Sequence, residues 1–192
     1  LGRWVLHEAC RQNKAWQDAG YAAIPVAVNL SAIQFRNDDI VQTVRDALDE
    51  TGLEPQYLEL EVTESAIMQG AEDVIATLIN LKDMGVKLSV DDFGTGYSSL
   101  SYLKRFPIDK LKVDQSFVRD ILKDANDAQI CCAVIGLAHS LRLLVIAEGV
   151  EHAPQLAYLQ KKKCNIVQGF YVGRPVPAQE FTNLLKAAVP LF

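Results

Sequence analysis

The chain has 192 residues, a formal net charge of −5 and a pI near 5.2. Apolar side chains make up 49% of it, which is enough for a buried core, and no apolar run approaches the roughly 20 residues of a membrane helix. The acidic balance argues against electrostatic binding to DNA, RNA or an anionic membrane.

Six β-rich runs follow one another along the chain. They lie at residues 27–31, 58–64, 87–92, 109–114, 143–149 and 165–171. Helical patterns lie between most of them, at residues 37–52, 71–85 and 128–142. The first of these helices is expected to begin at an Asn37 cap. Strand–helix repetition predicts a parallel α/β fold, and because no linker interrupts it, we expect one domain over residues 1–192.

The first four strands alternate between two kinds of side chain. In residues 58–62, for example, leucine and valine occupy one face of the strand, whereas Glu59 and Glu61 occupy the other. Central strands of a doubly wound sheet are apolar on both faces, so the alternation favours a barrel with polar side chains lining its interior. Six strands cannot close an eight-stranded barrel, and we therefore expect about two further strands N-terminal to Leu1.

Polar side chains gather near the carboxyl ends of these strands. They are Asn29, Glu61, Asp91, Asp92, Lys112, Glu148 and Gln168. At one barrel mouth the carboxylates would repel each other unless a cation neutralised them, and Mg²⁺ or Mn²⁺ prefers such oxygen ligands. Each residue alone has a simpler explanation, such as a surface ion pair, but their coincidence favours a metal site.

The stretch VDDFGTG, residues 90–96, places two of these acids side by side. Both side chains can reach one site if the backbone turns after Asp91, and Gly94 and Gly96 would give the backbone that freedom. The alternative is an ordinary solvated turn. A dinucleotide-binding loop is disfavoured, because Ser99 stands where the third glycine of that motif would lie.

Five longer motifs follow in order along the chain: VNLSAIQF, LELEVTES, DDFGTGYSSLSYLKRFPIDKLKVDQSFV, IAEGVE and QGFYVGRPVP. Together they resemble the successive signatures of the EAL-domain family of bacterial cyclic di-GMP phosphodiesterases. The resemblance implies a TIM-like (β/α)8 barrel in which one N-terminal strand runs antiparallel to the others. It also implies hydrolysis of one phosphodiester bond of cyclic di-GMP to linear pGpG, with two Mg²⁺ or Mn²⁺ ions.

The resemblance further implies roles for particular residues. Metal ligands are expected at Asn29, Glu61, Asp91, Asp92 and Glu148, and the catalytic residues are expected to be Lys112, Glu148, Asp91 and Asp92. Lys112 would position the attacking water, and Glu148 would serve the metal or act as general base. Supporting or substrate-binding positions are expected at Asp114, Glu151, Gln168, Arg174 and Pro175. Glu64 is expected to anchor the loop at residues 93–99, which contributes to dimerisation in the family.

One departure from the family pattern keeps two functions open. The Glu-Ala-Leu motif that names the family, whose glutamate is a metal ligand, is absent from this sequence. With that glutamate upstream, an active cyclic di-GMP phosphodiesterase is expected. Without it, a catalytically inactive cyclic di-GMP receptor or regulatory domain becomes the alternative. A protein-interaction scaffold that no longer binds nucleotide is a third, weaker hypothesis.

The expected partners follow from the same resemblance. They are cyclic di-GMP, a second copy of the chain in a homodimer, and other signalling domains fused to this one in the full protein. The domain is expected to be N-terminally incomplete, with no DNA or RNA polymer as partner and no membrane contact of its own. A bacterial cytoplasmic location is expected, because the four cysteines lack CxxC spacing and suit a reduced compartment.

Overall fold

The chain divides into two compact units. The computed structural model describes residues 2–37, 39–68, 71–96 and 100–187. The first unit comprises Leu1–Leu88 together with Val176–Leu191, and the second comprises Ser89–Pro175.

Strands and helices alternate along the chain. In order they are α1 (Gly2–Asp18), β1 (Val26–Leu30), α2 (Ala32–Asn37), α3 (Ile40–Thr51), a 3₁₀ turn (Pro55–Tyr57), β2 (Leu58–Thr63), α4 (Glu64–Met68), α5 (Ala71–Asp83), β3 (Lys87–Phe93), α6 (Leu100–Leu103), β4 (Lys110–Val113), α7 (Gln115–Arg119), α8 (Ala125–Ser140), β5 (Leu144–Ala147), α9 (Ala153–Lys161), β6 (Ile166–Val167) and α10 (Ala178–Lys186). Strands that pair within either unit are parallel to each other. The predicted α/β class is therefore confirmed.

In the first unit, β1 pairs with β2, and Asn29 lies opposite Glu61 in the register. Strand β2 carries the predicted alternation of apolar and acidic side chains, yet residues 58–62 are buried on both faces. Helix α1 packs against β1 and α3. The acidic face of β2 is therefore shielded from water, and its carboxylates require polar partners inside the protein.

Single side chains stabilise one helix end and one helix–helix contact in this unit. Helix α3 begins after Asp39, whose carboxylate accepts a hydrogen bond from the Gln42 amide at 3.0 Å. The predicted Asn37 cap is wrong, because Asn37 is the last residue of α2. Near the end of the chain, α10 packs on α1, where the Trp16 indole donates to the Thr182 hydroxyl at 2.9 Å and its ring lies 5.1 Å from that of Phe181.

In the second unit, β3, β4, β5 and β6 pair in that order. Helix α8 packs against β4, β5 and α7, and it buries an apolar face that includes Cys131 and Ile135. Burial raises the pKa of the Cys131 thiol to about 12. Ala133, Gly136 and His139 are exposed, so the helix is packed along one face and not all round.

The last strand is much shorter than the sequence predicts. Strand β6 ends at Val167, because beyond it the chain bonds to the loop after β5: the Val150 amide donates to the Gln168 carbonyl at 3.0 Å, and the Tyr171 amide donates to the Val150 carbonyl at 2.9 Å.

Within the described ranges, no helix combines the length and the apolar character needed to cross a bilayer.

Candidate metal centre

Asp91 and Asp92 lie in a bulge at the end of β3. Val90 pairs with Leu111 and Phe93 with Val113, so two residues of β3 face one residue of β4, which is Lys112. Asp92 has a left-handed backbone, with φ of 54°. The extra residue and the turned backbone bring adjacent carboxylates to one side, which an unbroken strand would not do.

The turn after Asp91 is therefore present, but it begins earlier than the glycines suggested. Asp92 itself takes the left-handed conformation, and Gly94, with φ of 100°, follows two residues later. The Asp92 amide donates to the Asp91 carboxylate at 2.9 Å, and the Thr95 hydroxyl donates to the Asp92 carbonyl at the same distance. These bonds hold the bulge closed on both sides of Asp92.

Lys112 supplies the positive charge at the centre of the cluster. Its ammonium group lies 3.1 Å from the Asp91 carboxylate and 2.7 Å from the Glu148 carboxylate, and its side chain is only 3% exposed. Burial of a lysine requires such acidic partners, because an unpaired charge away from water is costly. The lysine thereby holds β3, β4 and the residue after β5 in one electrostatic network.

Asp92 is the carboxylate that Lys112 neutralises least. Burial, the charge of Asp91 and the charge and hydrogen bond of Asp114 together raise the pKa of Asp92, and only the more weakly acting Lys112 opposes them. Asp114 also caps α7, since its carboxylate accepts from the Ser116 amide at 2.9 Å. The structure therefore brings the predicted substrate position Asp114 into contact with the predicted metal ligand Asp92.

The acids of this unit form a set that could bind a divalent cation. Asp91, Asp92 and Glu148 each offer a carboxylate oxygen, and these oxygens lie within 4.8 Å of one another. Hard oxygen donors at such spacing suit Mg²⁺, Mn²⁺ or Ca²⁺. The excess negative charge on Asp92 is what a bound cation would relieve, so the residues present fit a metal centre.

Three predicted residues lie in the first unit. Asn29 is exposed on β1 and faces Glu61 on β2, which is 7% exposed. Glu64 is buried at the first position of α4. The loop that Glu64 is predicted to anchor includes residues 97–99, which lie outside the described residues. The roles of these three side chains stay predictions.

The remaining predicted positions lie on the surface of the second unit. Gln168, Arg174 and Pro175 are exposed, and the Arg174 guanidinium stacks over the Phe170 ring at 4.4 Å. Glu151 is exposed at the start of α9, where it lines a surface cavity of about 430 Å³. Their predicted contacts with substrate stay predictions too.

One buried polar residue near the cluster was missed in the sequence. Gln155, on α9, is 4% exposed, and it accepts hydrogen bonds from the Glu151 and His152 amides at 2.8 and 2.9 Å. Glutamine at the third position of a helix, reaching back to the cap, is a recognised capping signal. The signal can be recognised only when the start of α9 is known, because Gln155 is the third residue of a helix that begins at Ala153.

Known proteins are similar to this chain in sequence and in fold. The family model described as the EAL domain matches residues 1–175. The Pseudomonas aeruginosa protein MucR, a bifunctional diguanylate cyclase/cyclic di-GMP phosphodiesterase, is 49% identical over 94% of this chain and 26% of its own length. The cyclic di-GMP phosphodiesterase NbdA of the same organism is 46% identical over 97% of this chain and 24% of its own length. The chain thus spans about a quarter of these relatives.

Solved structures agree with the sequence matches. The MucR phosphodiesterase in complex with cyclic di-GMP superposes with a TM-score of 0.91 at 49% identity, over 94% of this chain and 73% of that one. Klebsiella pneumoniae BlrP1, solved with manganese and cyclic di-GMP, superposes with a TM-score of 0.76 at 34% identity, over 90% and 45% of the two chains. The predicted TIM-like α/β fold is confirmed by these neighbours, and the chain belongs to the EAL domain family.

Proposed function

We propose that this chain hydrolyses one phosphodiester bond of cyclic di-GMP and releases linear pGpG. The observation that carries the proposal is the cluster of three carboxylates, Asp91, Asp92 and Glu148, assembled around the buried Lys112. The names of the relatives support the choice of substrate, since two of them are cyclic di-GMP phosphodiesterases. The proposal treats residues 1–192 as one EAL-type domain, supported by a family match that extends across both units.

We also propose that the chain binds two divalent cations, Mg²⁺ or Mn²⁺. Asp91, Asp92 and Glu148 would hold them, with Asn29 and Glu61 as further ligands on the family resemblance. When bound, such ions supply Lewis acidity toward the phosphate and lower the pKa of a water molecule. The solved neighbour with manganese supports a divalent metal for this fold.

Lys112 and Glu148 would act on the water that attacks phosphorus. The 2.7 Å contact between their charged groups places a donor and an acceptor next to each other, which suits orientation of a water by one and removal of its proton by the other. A bond then forms between the water oxygen and phosphorus, the bond from phosphorus to the 3′ oxygen breaks, and the proton passes to Glu148. The released 3′ oxygen takes up a proton from solvent water and leaves as the hydroxyl of pGpG.

Residues beyond the acid cluster would bind the rest of the nucleotide. Asp114 is the best supported of them, because it contacts Asp92. We also propose substrate or supporting contacts from Glu151, Gln168, Arg174 and Pro175, and a loop-anchoring role for Glu64. Fusion to other signalling domains is supported by the greater length of the relatives. We also propose that the chain forms a homodimer and is located in the bacterial cytoplasm.

The test is a product assay on the full-length protein. Incubation with cyclic di-GMP and either Mg²⁺ or Mn²⁺ is expected to yield pGpG, measured by chromatography, and EDTA is expected to stop its formation. Tight nucleotide binding with no pGpG in either metal would contradict hydrolysis and would identify a receptor instead.

A further inference from the structure

Gln155 connects two segments of the second unit that carry the catalytic cluster. Its amide nitrogen donates to the carbonyls of Val118 and Arg119, at 3.0 and 3.2 Å, at the end of α7. Its amide oxygen accepts from the Glu151 and His152 amides at 2.8 and 2.9 Å. Both donor hydrogens and both acceptor positions of the carboxamide are therefore used, in a side chain that is 4% exposed.

The segment that Gln155 holds on one side begins at Glu148. The Glu148 amide donates to the Val113 carbonyl at 3.2 Å, so this segment is also bonded to the strand that carries Lys112. Between these two attachments, Gly149 packs so closely on the start of α7 that an added Cβ would lie 2.7 Å from the Gln115 Cβ. The loop after β5 therefore packs on the β4–α7 segment and is fixed at both of its ends, and Val150 between them bonds to Gln168 and Tyr171.

This arrangement determines where the Glu148 carboxylate lies. Its oxygen is 2.7 Å from the Lys112 ammonium group, a distance at which a shift of about 1 Å would break the contact. Lys112 is fixed within β4, whereas Glu148 lies one residue beyond β5 and depends on the loop for its position. Loss of the Gln155 bonds would detach residues 151 and 152 from α7, so that the Val150 bonds to Gln168 and Tyr171 would remain as the backbone attachment beyond Glu148.

We infer that Gln155 is a positioning residue for the proposed hydrolysis: it fastens the loop after β5 to α7 and so holds the Glu148 carboxylate against Lys112. This inference rests on the proposed function. Gln155 touches neither nucleotide nor metal in this role and acts on Glu148 only through the backbone of residues 148–152. Its loss is expected to lower kcat while leaving KM little changed, because ground-state binding of the nucleotide does not depend on it.

The test compares two buried carboxamides in the full-length protein. Gln155→Met removes all four hydrogen bonds at similar volume, and Gln155→Glu keeps the acceptor oxygens while removing donation to α7. Asn13→Leu is the matched control, because Asn13 is 1% exposed and its side chain likewise bridges two carbonyls, those of Ile24 and Tyr57, in the other unit. All are assayed well below their melting temperatures.

Gln155→Met is expected to lower kcat by about 10- to 100-fold with KM within about twofold, and Gln155→Glu is expected to lie between it and the unmodified protein. Asn13→Leu is expected to retain kcat. Hydrogen exchange at the Glu148 amide, which bonds to Val113 and not to Gln155, is expected to accelerate at least tenfold in Gln155→Met alone.

An unchanged kcat in folded Gln155→Met overturns the inference, and so does an equal loss in Asn13→Leu. If the unmodified protein forms no pGpG, the proposed function fails, and the exchange rates then decide about Gln155. Faster exchange at Glu148 in Gln155→Met supports the positioning role in a binding site, whereas an unchanged rate contradicts it.

Discussion

Strands β3 and β5 both lead into left-handed backbone, and they use it for different purposes. At the end of β3 the left-handed residue is Asp92, with φ of 54°, and its carboxylate joins the acid cluster. After β5 it is Gly149, with φ of 70°, and the absence of a side chain lets the loop rest on Gln115. The left-handed turn at Asp92 therefore brings a charged side chain into the cluster, whereas the one at Gly149 allows two backbone segments to pack closely.

The largest expected effect is on catalysis at the β3 end. Asp91→Asn removes the carboxylate that lies 3.1 Å from Lys112 and within reach of both other acids. The proposed hydrolysis of cyclic di-GMP is expected to fall by about 1,000-fold, since a proposed metal ligand and a partner of the lysine are lost together. The measurement is kcat/KM for pGpG formation. Asp120→Asn, at a half-buried acid elsewhere in the same unit, serves as control, and near-normal turnover in Asp91→Asn would contradict the assignment.

Lys112 pairs with acids at the ends of β3 and β5, so its removal should destabilise both strand ends. Lys112→Met leaves the carboxylates of Asp91 and Glu148 without their shared cation, and the metal-free protein is expected to lose about 3 to 4 kcal/mol of unfolding free energy at pH 7. Urea unfolding in EDTA measures this. The exposed pair of Lys123 with Asp120 gives the control Lys123→Met, expected to change stability by less than about 0.5 kcal/mol. Equal effects in the two variants would contradict the central role of Lys112.

At the loop after β5, we expect a substitution to destabilise the protein by steric overlap and not by a change of charge. A Cβ on Gly169 would lie 2.2 Å from the carbonyl oxygen and 2.3 Å from the amide nitrogen of Val150, so the backbone must move. Gly169→Ala is expected to cost about 2 to 3 kcal/mol, measured by urea unfolding. Gly136→Ala is the matched control, because nothing lies within 4 Å of its added Cβ in α8 and the helix is expected to gain about 0.5 to 1 kcal/mol. A stable Gly169→Ala protein would refute the close packing.

The smallest expected change in stability distinguishes Asp92 from its neighbour Asp91. Asp92→Asn removes a charge that Asp91 and Asp114 repel, and asparagine tolerates the left-handed backbone. The metal-free protein is expected to gain about 0.5 to 1 kcal/mol of stability while losing hydrolysis. Asp91→Asn is expected to do the opposite to stability, since it removes a partner of Lys112. If Asp92→Asn also destabilises the protein in EDTA, repulsion between the acids does not control stability at this position.

Much of the site could be predicted where neighbours in sequence are neighbours in space. The alternation within residues 58–62 places Glu59 and Glu61 on one face of β2, whereas the burial of both faces became visible only in the structure. The Asp39 cap was misassigned to Asn37 because both residues precede an apolar pattern, and only the backbone shows which one starts the helix. Gln155 was missed because two of its partners, Val118 and Arg119, lie on a different helix far away in the chain.

By itself, the sequence determined the α/β class, the order of the six strands, the EAL family and the identity of the acids at the strand ends. Periodicity and motif order are local properties, so they can be recognised before the chain is folded. Only the tertiary structure decided that β3 bulges at Asp91 and Asp92, that Lys112 lies between Asp91 and Glu148, and that the loop after β5 is fastened to α7. Each of these depends on register and burial, which come from residues far apart in the chain packing together.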